Sequence, residues 1–428
     1  MSAATDGIPV VGNRGKVLVI GGGITGITAA IEASEAGCEV VLAEKAAYLG
    51  GRVARMNQYF PKMCPPQCGL EINLRRFKTN PLIRALTLAD VEEIRGTPGD
   101  YHVTIRQHPR GVTEKCTTCG ACVDVCPVER ADEFNLGMGT TKAIYLPYEM
   151  AYPLRLAIDT EACLGTECGK CVTACPFDAI DLAQKDETVE VDVDAVIVAT
   201  GWEPYEATQI EGLGFGTHPD IVTNVMMERM ASPMGPTDGK IVKPSDGGPV
   251  RSVAFVQCAG SRDDNYLKHC SGVCCMGSLK QTRYIREQYP EAEINVFYID
   301  LRAPGRLEDF LQAQQEDEKL HLVKGKVARI DVTDDGLLVQ AEDVLSGTRV
   351  SRAADLVVLA TGIVPSDTHG IRIEGNGGLA TDAHGFLTRA QPSAGVLVAG
   401  CAARPTDVAT CVRDATGAVM NALQFCTE

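Results

Sequence analysis

A doubled cysteine run constrains this chain more than any other feature. Cys116-Thr-Thr-Cys119-Gly-Ala-Cys122-Val-Asp-Val-Cys126-Pro127 is answered by Cys163-Leu-Gly-Thr-Glu-Cys168-Gly-Lys-Cys171-Val-Thr-Ala-Cys175-Pro176. Soft thiolates at this spacing suit a cubane of iron and sulfide, which needs four of them. Zinc ribbons and disulfides compete with that reading, but zinc knots use two cysteine pairs rather than such runs. Where two cubanes sit together, the fourth cysteine of each run reaches to the other cluster. Cys116, Cys119, Cys122 and Cys175 are therefore assigned to one [4Fe–4S] cluster, and Cys163, Cys168, Cys171 and Cys126 to a second. Four residues separate Cys163 from Cys168, where two are usual. The extra pair should lengthen a loop without removing a ligand.

The 428 residues suffice for two or three domains with a full core. Lys plus Arg number 40 against 56 Asp plus Glu, a formal net charge of −16. That balance argues against nucleic acid and against direct attraction to anionic lipid. No run of about 18 apolar residues occurs, so no membrane insertion is expected. The first residues have neither a basic nor an apolar region of the kind found in signal peptides. Eighteen cysteines without an export signal read as metal ligands in a reducing cytoplasm, not as a disulfide framework.

Lys16-Val-Leu-Val-Ile20 reads as a short buried strand and runs straight into Gly21-x-Gly23-x-x-Gly26. A helix fits Ile27 to Ala36, stopped by Gly37, and a second strand spans 38–42. Glu44 stands 18 residues past Gly26. In that context the glycines admit a pyrophosphate at the helix N-terminus, and the acid accepts from ribose hydroxyls. Gly50-Gly51-Arg52 resembles the second glycine pair of flavoproteins with two dinucleotide-binding domains, which favours FAD over NAD. Ala195-Val-Ile-Val-Ala-Thr200-Gly201 and Leu356-Val-Val-Leu-Ala-Thr361-Gly362 repeat one pattern. In disulfide-reductase-like enzymes such strands mark where the chain leaves and re-enters the flavin domain. Gly395-Val-Leu-Val-Ala-Gly400 resembles the strand that ends under the ribityl chain. Those enzymes usually carry an aspartate just after that glycine, whereas Cys401-Ala402 stands here. Backbone N–H groups are therefore expected to hold the dinucleotide's middle.

Strands at 101–106 and 189–193 read as the way into and out of a ferredoxin unit inserted at 111–182. The expected fold is α/β: a disulfide-reductase-like flavoprotein with two dinucleotide-binding domains and an inserted two-cluster ferredoxin domain. Its expected divisions are 1–110, the ferredoxin unit 111–182, and 183–225 for the flavin domain's second part. A second dinucleotide-binding-like domain follows at 226–354, and the flavin domain's last part at 355–428. Cys64 and Cys68 flank two prolines; a pair alone cannot complete a tetrahedral site, so they stand as ligands, redox thiols or structural residues. After the strand Val253–Gln257 no second Gly-x-Gly-x-x-Gly occurs, which makes NAD(P)H binding there unexpected. Cys258, Cys270, Cys274 and Cys275 follow instead. They suit either a third [4Fe–4S] site or buried thiols with a redox pair.

The cysteines just named, with Gln257-Cys-Ala-Gly-Ser-Arg-Asp263, Pro244-Ser-Asp-Gly247 and Tyr298-Ile-Asp-Leu-Arg302, resemble the flavin-bearing A subunits of heterodisulfide reductases. In its compact form, opening at the dinucleotide strand, the chain is most similar to the A subunits of quinone-interacting membrane-bound oxidoreductase complexes of sulfate reducers. The resemblance implies a third cluster on Cys258, Cys270, Cys274 and Cys275. It also implies two partners: a sister subunit with flavin and iron–sulfur clusters, and a haem-bearing, quinone-reactive membrane subunit. Through the latter the chain would associate peripherally with the membrane. Electron exchange between menaquinol and adenylylsulfate reductase follows from the same resemblance. Lys280, on a helix expected over 272–288, is a candidate cation beside the flavin; the plain alternative is a solvated helix lysine.

Overall fold

The computed structural model describes residues 14–60, 62–334, 336–368, 370–375, 377–391 and 393–426. The apolar segment Lys16–Ile20 forms the central strand of a five-stranded parallel sheet. From edge to edge the strands are Val396–Val398, Ala195–Val198, Lys16–Ile20, Glu39–Glu44 and Ile83–Thr87. Val17, Leu18 and Val19 are fully buried, as strands covered on both faces must be. Helices cover one face: Ile27 and Ile31 of the helix Ile24–Glu35, Leu70 and Phe77 of Pro66–Thr79, and Ala415 and Val419 of Val408–Ala422. A mainly antiparallel sheet covers the other, its Tyr101, Val103 and Ile105 packing on Leu18, Val196 and Val198.

A second unit repeats this plan. Its parallel sheet runs Ile221–Thr223, Leu356–Thr361, Ser252–Ala259, Glu293–Tyr298 and Leu320–Lys324. Helices including Asn224–Ala231 and Cys274–Gln288 pack one face. The antiparallel strands Val327–Thr333, Gly336–Asp343 and Thr348–Ala354 pack the other. Two short crossing strands, Trp202–Pro204 and Ile363–Pro365, pair antiparallel where the chain passes between units.

This arrangement corrects two expected divisions. Ile221–Thr223 and Leu356–Thr361 are hydrogen-bonded into the second sheet, not the first. The chain therefore leaves the first unit before Ile221 and returns only after Thr361; matching Ala-Thr-Gly endings conceal that the strands serve different sheets. The first helix also starts at Ile24 rather than Ile27. Gly26 lies in its first turn because a Cβ there would strike the Gly21 carbonyl.

The cysteine-run segment rises from the antiparallel sheet of the first unit. Asp100–Gln107 pairs with Glu187–Val193, so the chain departs and returns on adjacent strands. Above them Val112 bridges Ile180, and the Thr113 N–H donates to the Ala179 carbonyl at 2.7 Å. Buried Arg110 fastens this base. Its guanidinium donates to the Thr87 hydroxyl and the Ala47 carbonyl on one side, and to the Arg155 and Leu156 carbonyls on the other. Further out, Phe134 stacks on Tyr148, and both meet Tyr48 edge-on. Such aromatic contacts add about 0.5–1.5 kcal/mol each beyond their area burial. The inserted segment is thus built into the core of the first unit.

Candidate functional site

Three groups of residues carry the chemistry, and each sits where regular structure ends. At the carboxyl end of Lys16–Ile20 the backbone turns at Gly21, with φ of 106°, where any Cβ would strike the Ala199 carbonyl. Gly23 precedes the helix, and a Cβ there would meet nothing within 4 Å. That gap, at a helix N-terminus whose first N–H groups lack intrahelical partners, is the cradle a pyrophosphate fits. The second glycine pair closes on the first: the Gly50 N–H donates to the Gly22 carbonyl at 2.8 Å, and a Cβ on Gly51 would lie 2.9 Å from the Gly23 Cα. Gly201 and Gly400 also adopt positive φ, Gly400 packing on Thr25 of the same helix turn.

Glu44 accepts from the Gly22 N–H at 2.5 Å and the Ala46 N–H at 2.7 Å. Burial pushes its pKa up, and those two hydrogen bonds partly offset the shift. Each carboxylate oxygen keeps a further lone-pair direction for a hydroxyl. Arg52 is turned elsewhere: its Nε donates to the Trp202 carbonyl at 2.8 Å, it pairs with Glu203, and it lies over the Trp202 ring. It clamps the crossing strand to the glycine turns. Gly362 does not join this group. A Cβ there would strike Ser261 and Leu267, next to a thiol set in the second unit.

In the inserted segment, Cys119-Gly120-Ala-Cys122 and Cys168-Gly169-Lys-Cys171 fold alike. Gly120 and Gly169 each adopt positive φ, and each opens a short helix that carries the next cysteine. Cys126, Cys163, Cys168 and Cys171 line one pocket with Pro127, Ile144 and Ile158. Burial pushes the Cys122 thiol up to about 11, with Cys116, Cys175 and Cys119 as its charged neighbours. The structure thus brings Cys126 to Cys163, Cys168 and Cys171, and Cys175 to Cys116, Cys119 and Cys122. A turn of 3-10 helix, Gly165–Glu167, takes up the extra residues between Cys163 and Cys168.

Cys258, Cys270, Cys274 and Cys275 gather at the corresponding corner of the second unit. Burial pushes Cys258 to about 11 and Cys274 to about 12, and each has other cysteines of the set as neighbours. Cys258 and Arg262 hold positive φ without being glycine, a strain of about 1–3 kcal/mol each. The buried Gln257 amide beside Cys258 has no hydrogen-bond partner among the described residues. All three sets share a fit to anionic sulfur, because backbone N–H groups point at it. Thr118 donates to Cys116, Gly165 to Cys163, Ala179 to Cys175 and Gly272 to Cys270, at 3.3–3.4 Å. Among the described residues no three His, Cys, Asp or Glu side chains close on a single-ion site.

Lys280 is not solvated, which overturns the plain alternative. It is 2% exposed, donates to the Gln58 carbonyl at 2.8 Å and pairs with Glu228 Oε1 at 2.8 Å. Glu228 also accepts from the Asn57 N–H, the Gln281 amide and the Tyr284 hydroxyl. Beside it Arg229, fully buried, reaches Asn135 of the inserted segment and the Arg55 carbonyl. Neither Glu228 nor Arg229 was singled out from the sequence. Their signal is an acid and a base embedded in the apolar run Val225-Met-Met-Glu-Arg-Met-Ala231.

The cysteines are not all potential ligands. Twelve fall in the three sets, and Cys38, Cys64, Cys68, Cys401, Cys411 and Cys426 stand apart, all as free thiols. Cys64 and Cys68 both face Tyr59, whose hydroxyl is pushed to about 12 mainly by burial. No helix among the described residues is long and apolar enough to cross a membrane.

A glycine cradle on one parallel sheet, a cysteine-run insert and a second five-stranded parallel sheet define an oxidoreductase component that binds flavin and iron–sulfur clusters on a disulfide-reductase-like fold. Residues 16–67 match the FAD dependent oxidoreductase family, and residues 115–179 the 4Fe-4S dicluster domain. The fold resembles thioredoxin reductase from T. acidophilum, with a TM-score of 0.53 and 12% identity over 96% of this chain and 98% of that one. It also resembles that of Lactococcus lactis, with a TM-score of 0.51 and 14% identity over 96% and 99%. The chain is 37% identical over 96% of its length to the A subunit of the Ferredoxin/F(420)H(2)-dependent CoB-CoM heterodisulfide reductase of Methanosarcina acetivorans, covering 53% of that protein. It is 37% identical over 95% of its length to the A subunit of the H(2):CoB-CoM heterodisulfide,ferredoxin reductase of Methanothermobacter marburgensis, covering 63%. The chain thus spans between half and two thirds of these relatives, and over that shared region nearly its whole length is similar to heterodisulfide reductase A subunits.

Proposed function

We propose that the chain is the FAD- and iron–sulfur-bearing electron-transfer subunit of a quinone-linked complex in dissimilatory sulfate reduction. In this reading it passes electrons between adenylylsulfate reductase and a haem-bearing, menaquinol-reactive membrane subunit, beside a sister flavin and iron–sulfur subunit. The observation that carries the electron-transfer core is the meeting in one chain of a glycine cradle and three cysteine sets. Bound FAD exchanges electrons singly or in pairs while each cubane exchanges one at a time, so together they can confurcate or bifurcate electrons. The quinone and sulfate assignments rest on the sequence resemblance alone.

The protein's part is to hold and bias these groups. Gly21, Gly23, Gly26, Gly51, Gly201 and Gly400 keep the cradle open to a phosphate backbone, and Glu44 accepts from a ribose. Lys280, paired with Glu228, supplies a fixed buried cation suited to biasing a reduced flavin. The three sets Cys116/Cys119/Cys122/Cys175, Cys163/Cys168/Cys171/Cys126 and Cys258/Cys270/Cys274/Cys275 would each hold a cubane. An electron-bifurcating component of the heterodisulfide reductase type is the second reading, favoured by the identity shared with the methanogen proteins. A NAD(P)H-dependent reductase is disfavoured, because cysteines stand where its second phosphate loop would be.

Anaerobic purification with co-eluting partners identified tests the proposal. We expect non-covalent flavin, about twelve irons per chain, a haem-bearing membrane partner, and no flavin bleaching by NADH alone. Recovery with the catalytic subunits of a heterodisulfide reductase would favour the second reading. Bleaching by NADH without partners would overturn both.

A further inference from the structure

We infer that Cys401 and Cys411 form a peroxide-sensitive dithiol, a modification site that closes to an intrachain disulfide directly behind the glycine cradle. The two sulfurs lie 3.7 Å apart, each residue about 5% exposed. Neither belongs to a cluster set. Cys401 sits on the 3-10 turn Gly400–Ala402, and Cys411 in the first turns of the helix Val408–Ala422. Both positions are fixed by the backbone. The Ala403 N–H donates to the Gly400 carbonyl at 3.0 Å, and the Cys411 N–H to the Asp407 carbonyl at 2.9 Å. The Asp407 side chain caps the helix by accepting from the Thr410 N–H at 2.7 Å. Side-chain rotation alone must bring the sulfurs from contact distance to the roughly 2.05 Å of a disulfide. The pair therefore starts close to its oxidised geometry, with nine residues in the intervening loop.

The two thiols are unequal. A hydrogen bond from Cys401 and a second from the Thr25 hydroxyl hold the Cys411 thiol below its ordinary range, against the cost of burial. Cys401 is pushed up by the same partnership and by burial, so it retains its proton. Cys411 is then the nucleophile, since the thiolate is the reactive form. Its sulfur attacks the O–O bond of hydrogen peroxide, forming a sulfenic acid and releasing one water. Cys401 sulfur displaces the second water and forms the disulfide. Relative to the dithiol the pair loses two protons and two electrons, and the peroxide takes them up to become two waters. Thr25 belongs to the first turn of the cradle helix, and Gly400 packs against it. Closure removes the thiolate that Thr25 donates to and ties the Gly400 turn to the last helix.

The test is thiol mapping of the anaerobic holoprotein after a small excess of hydrogen peroxide, quenched by iodoacetamide under denaturing conditions. We expect the segment bearing Cys401 and Cys411 to lose two hydrogens, to resist alkylation and to regain both thiols on dithiothreitol treatment. Cys411→Ser should abolish the mass loss. Cys68, exposed at the surface, provides the internal reference for oxidant exposure. If Cys401 and Cys411 are both fully alkylated when Cys68 is already oxidised, the inference falls. Crosslinking of either one to a different cysteine would also overturn it. Flavin content of the reduced protein is measured separately, so failure of the dithiol is distinct from failure of the cradle.

Discussion

The two sheets are both five-stranded and parallel and share the same three-layer packing, yet differ at one corner. In both, the central strand ends at a turn that leads into a helix. In the first unit that turn is Gly21 to Gly26, and its middle is open space around Gly23. In the second, the strand Ser252–Ala259 carries Cys258 near its end, a strained loop follows, and the helix begins at Cys274. The contrast teaches that a doubly wound sheet offers a location, the carboxyl end of its central strand, and little else. Side-chain chemistry decides the occupant. Bare backbone N–H groups at a helix N-terminus suit phosphate, whereas four gathered thiols suit a cluster.

Changing one cysteine of the thiol corner should have the largest effect. Cys274→Ser is expected to remove all of about four irons while leaving flavin and the clusters of the inserted segment. Iron, sulfide and flavin assays on anaerobic protein check this; an unchanged iron count would remove the cluster assignment at this corner. Lys280 lies on the helix that the same corner opens. Lys280→Met leaves Glu228 buried and unpaired, which should destabilise the protein by about 3–5 kcal/mol. Adding Glu228→Gln should recover most of that loss in urea unfolding. A double variant as unstable as the single one would show that packing, not charge, dominates there.

The glycine corner should respond differently. A Cβ at Gly23 meets no protein atom within 4 Å, so in Gly23→Val the fold should survive while flavin retention falls about tenfold or more, some 1.4 kcal/mol. The expected signature is lost flavin with unchanged iron content and circular dichroism. Full flavin retention would move the cradle elsewhere.

Most of this architecture was written in periodicity and spacing. The apolar run Lys16–Ile20 with three glycines identified the first corner, and the cysteine intervals identified the crossed pairs. What stayed hidden depends on contacts between residues far apart in the chain. Lys280 finds Glu228, 52 residues earlier, only because two helices share one face of the second sheet. Arg52 stands beside the glycines yet serves Trp202 and Glu203, because the crossing strand returns over it. Gly362 follows the same Ala-Thr motif as Gly201 but ends a strand of the other sheet. Local pattern fixed the element in each case, and packing fixed the partner.

The two units also differ in their antiparallel layers, and that difference yields the smallest effect. The second layer is a plain meander, whereas the first is opened between Asp100–Gln107 and Glu187–Val193 to admit the inserted segment. At the neck His108 Nε2 meets Asp90 at 2.9 Å and Nδ1 meets Asp186 at 3.2 Å, joining entry to exit. Partial burial opposes its charged form, but hydrogen bonds with the two carboxylates outweigh that, so its pKa is raised above the ordinary histidine value. A histidine raised on folding stabilises fully below its unfolded pKa of about 6.5, and that contribution disappears as pH climbs through the folded value. The side chain is 39% exposed, so solvent screening holds the effect below about 1 kcal/mol. His108→Ala should therefore lower the urea midpoint slightly at about pH 6, and the gap from wild type should close by about pH 9. A gap independent of pH would mean that the neck is held by packing and by Arg110, with the imidazole charge contributing nothing.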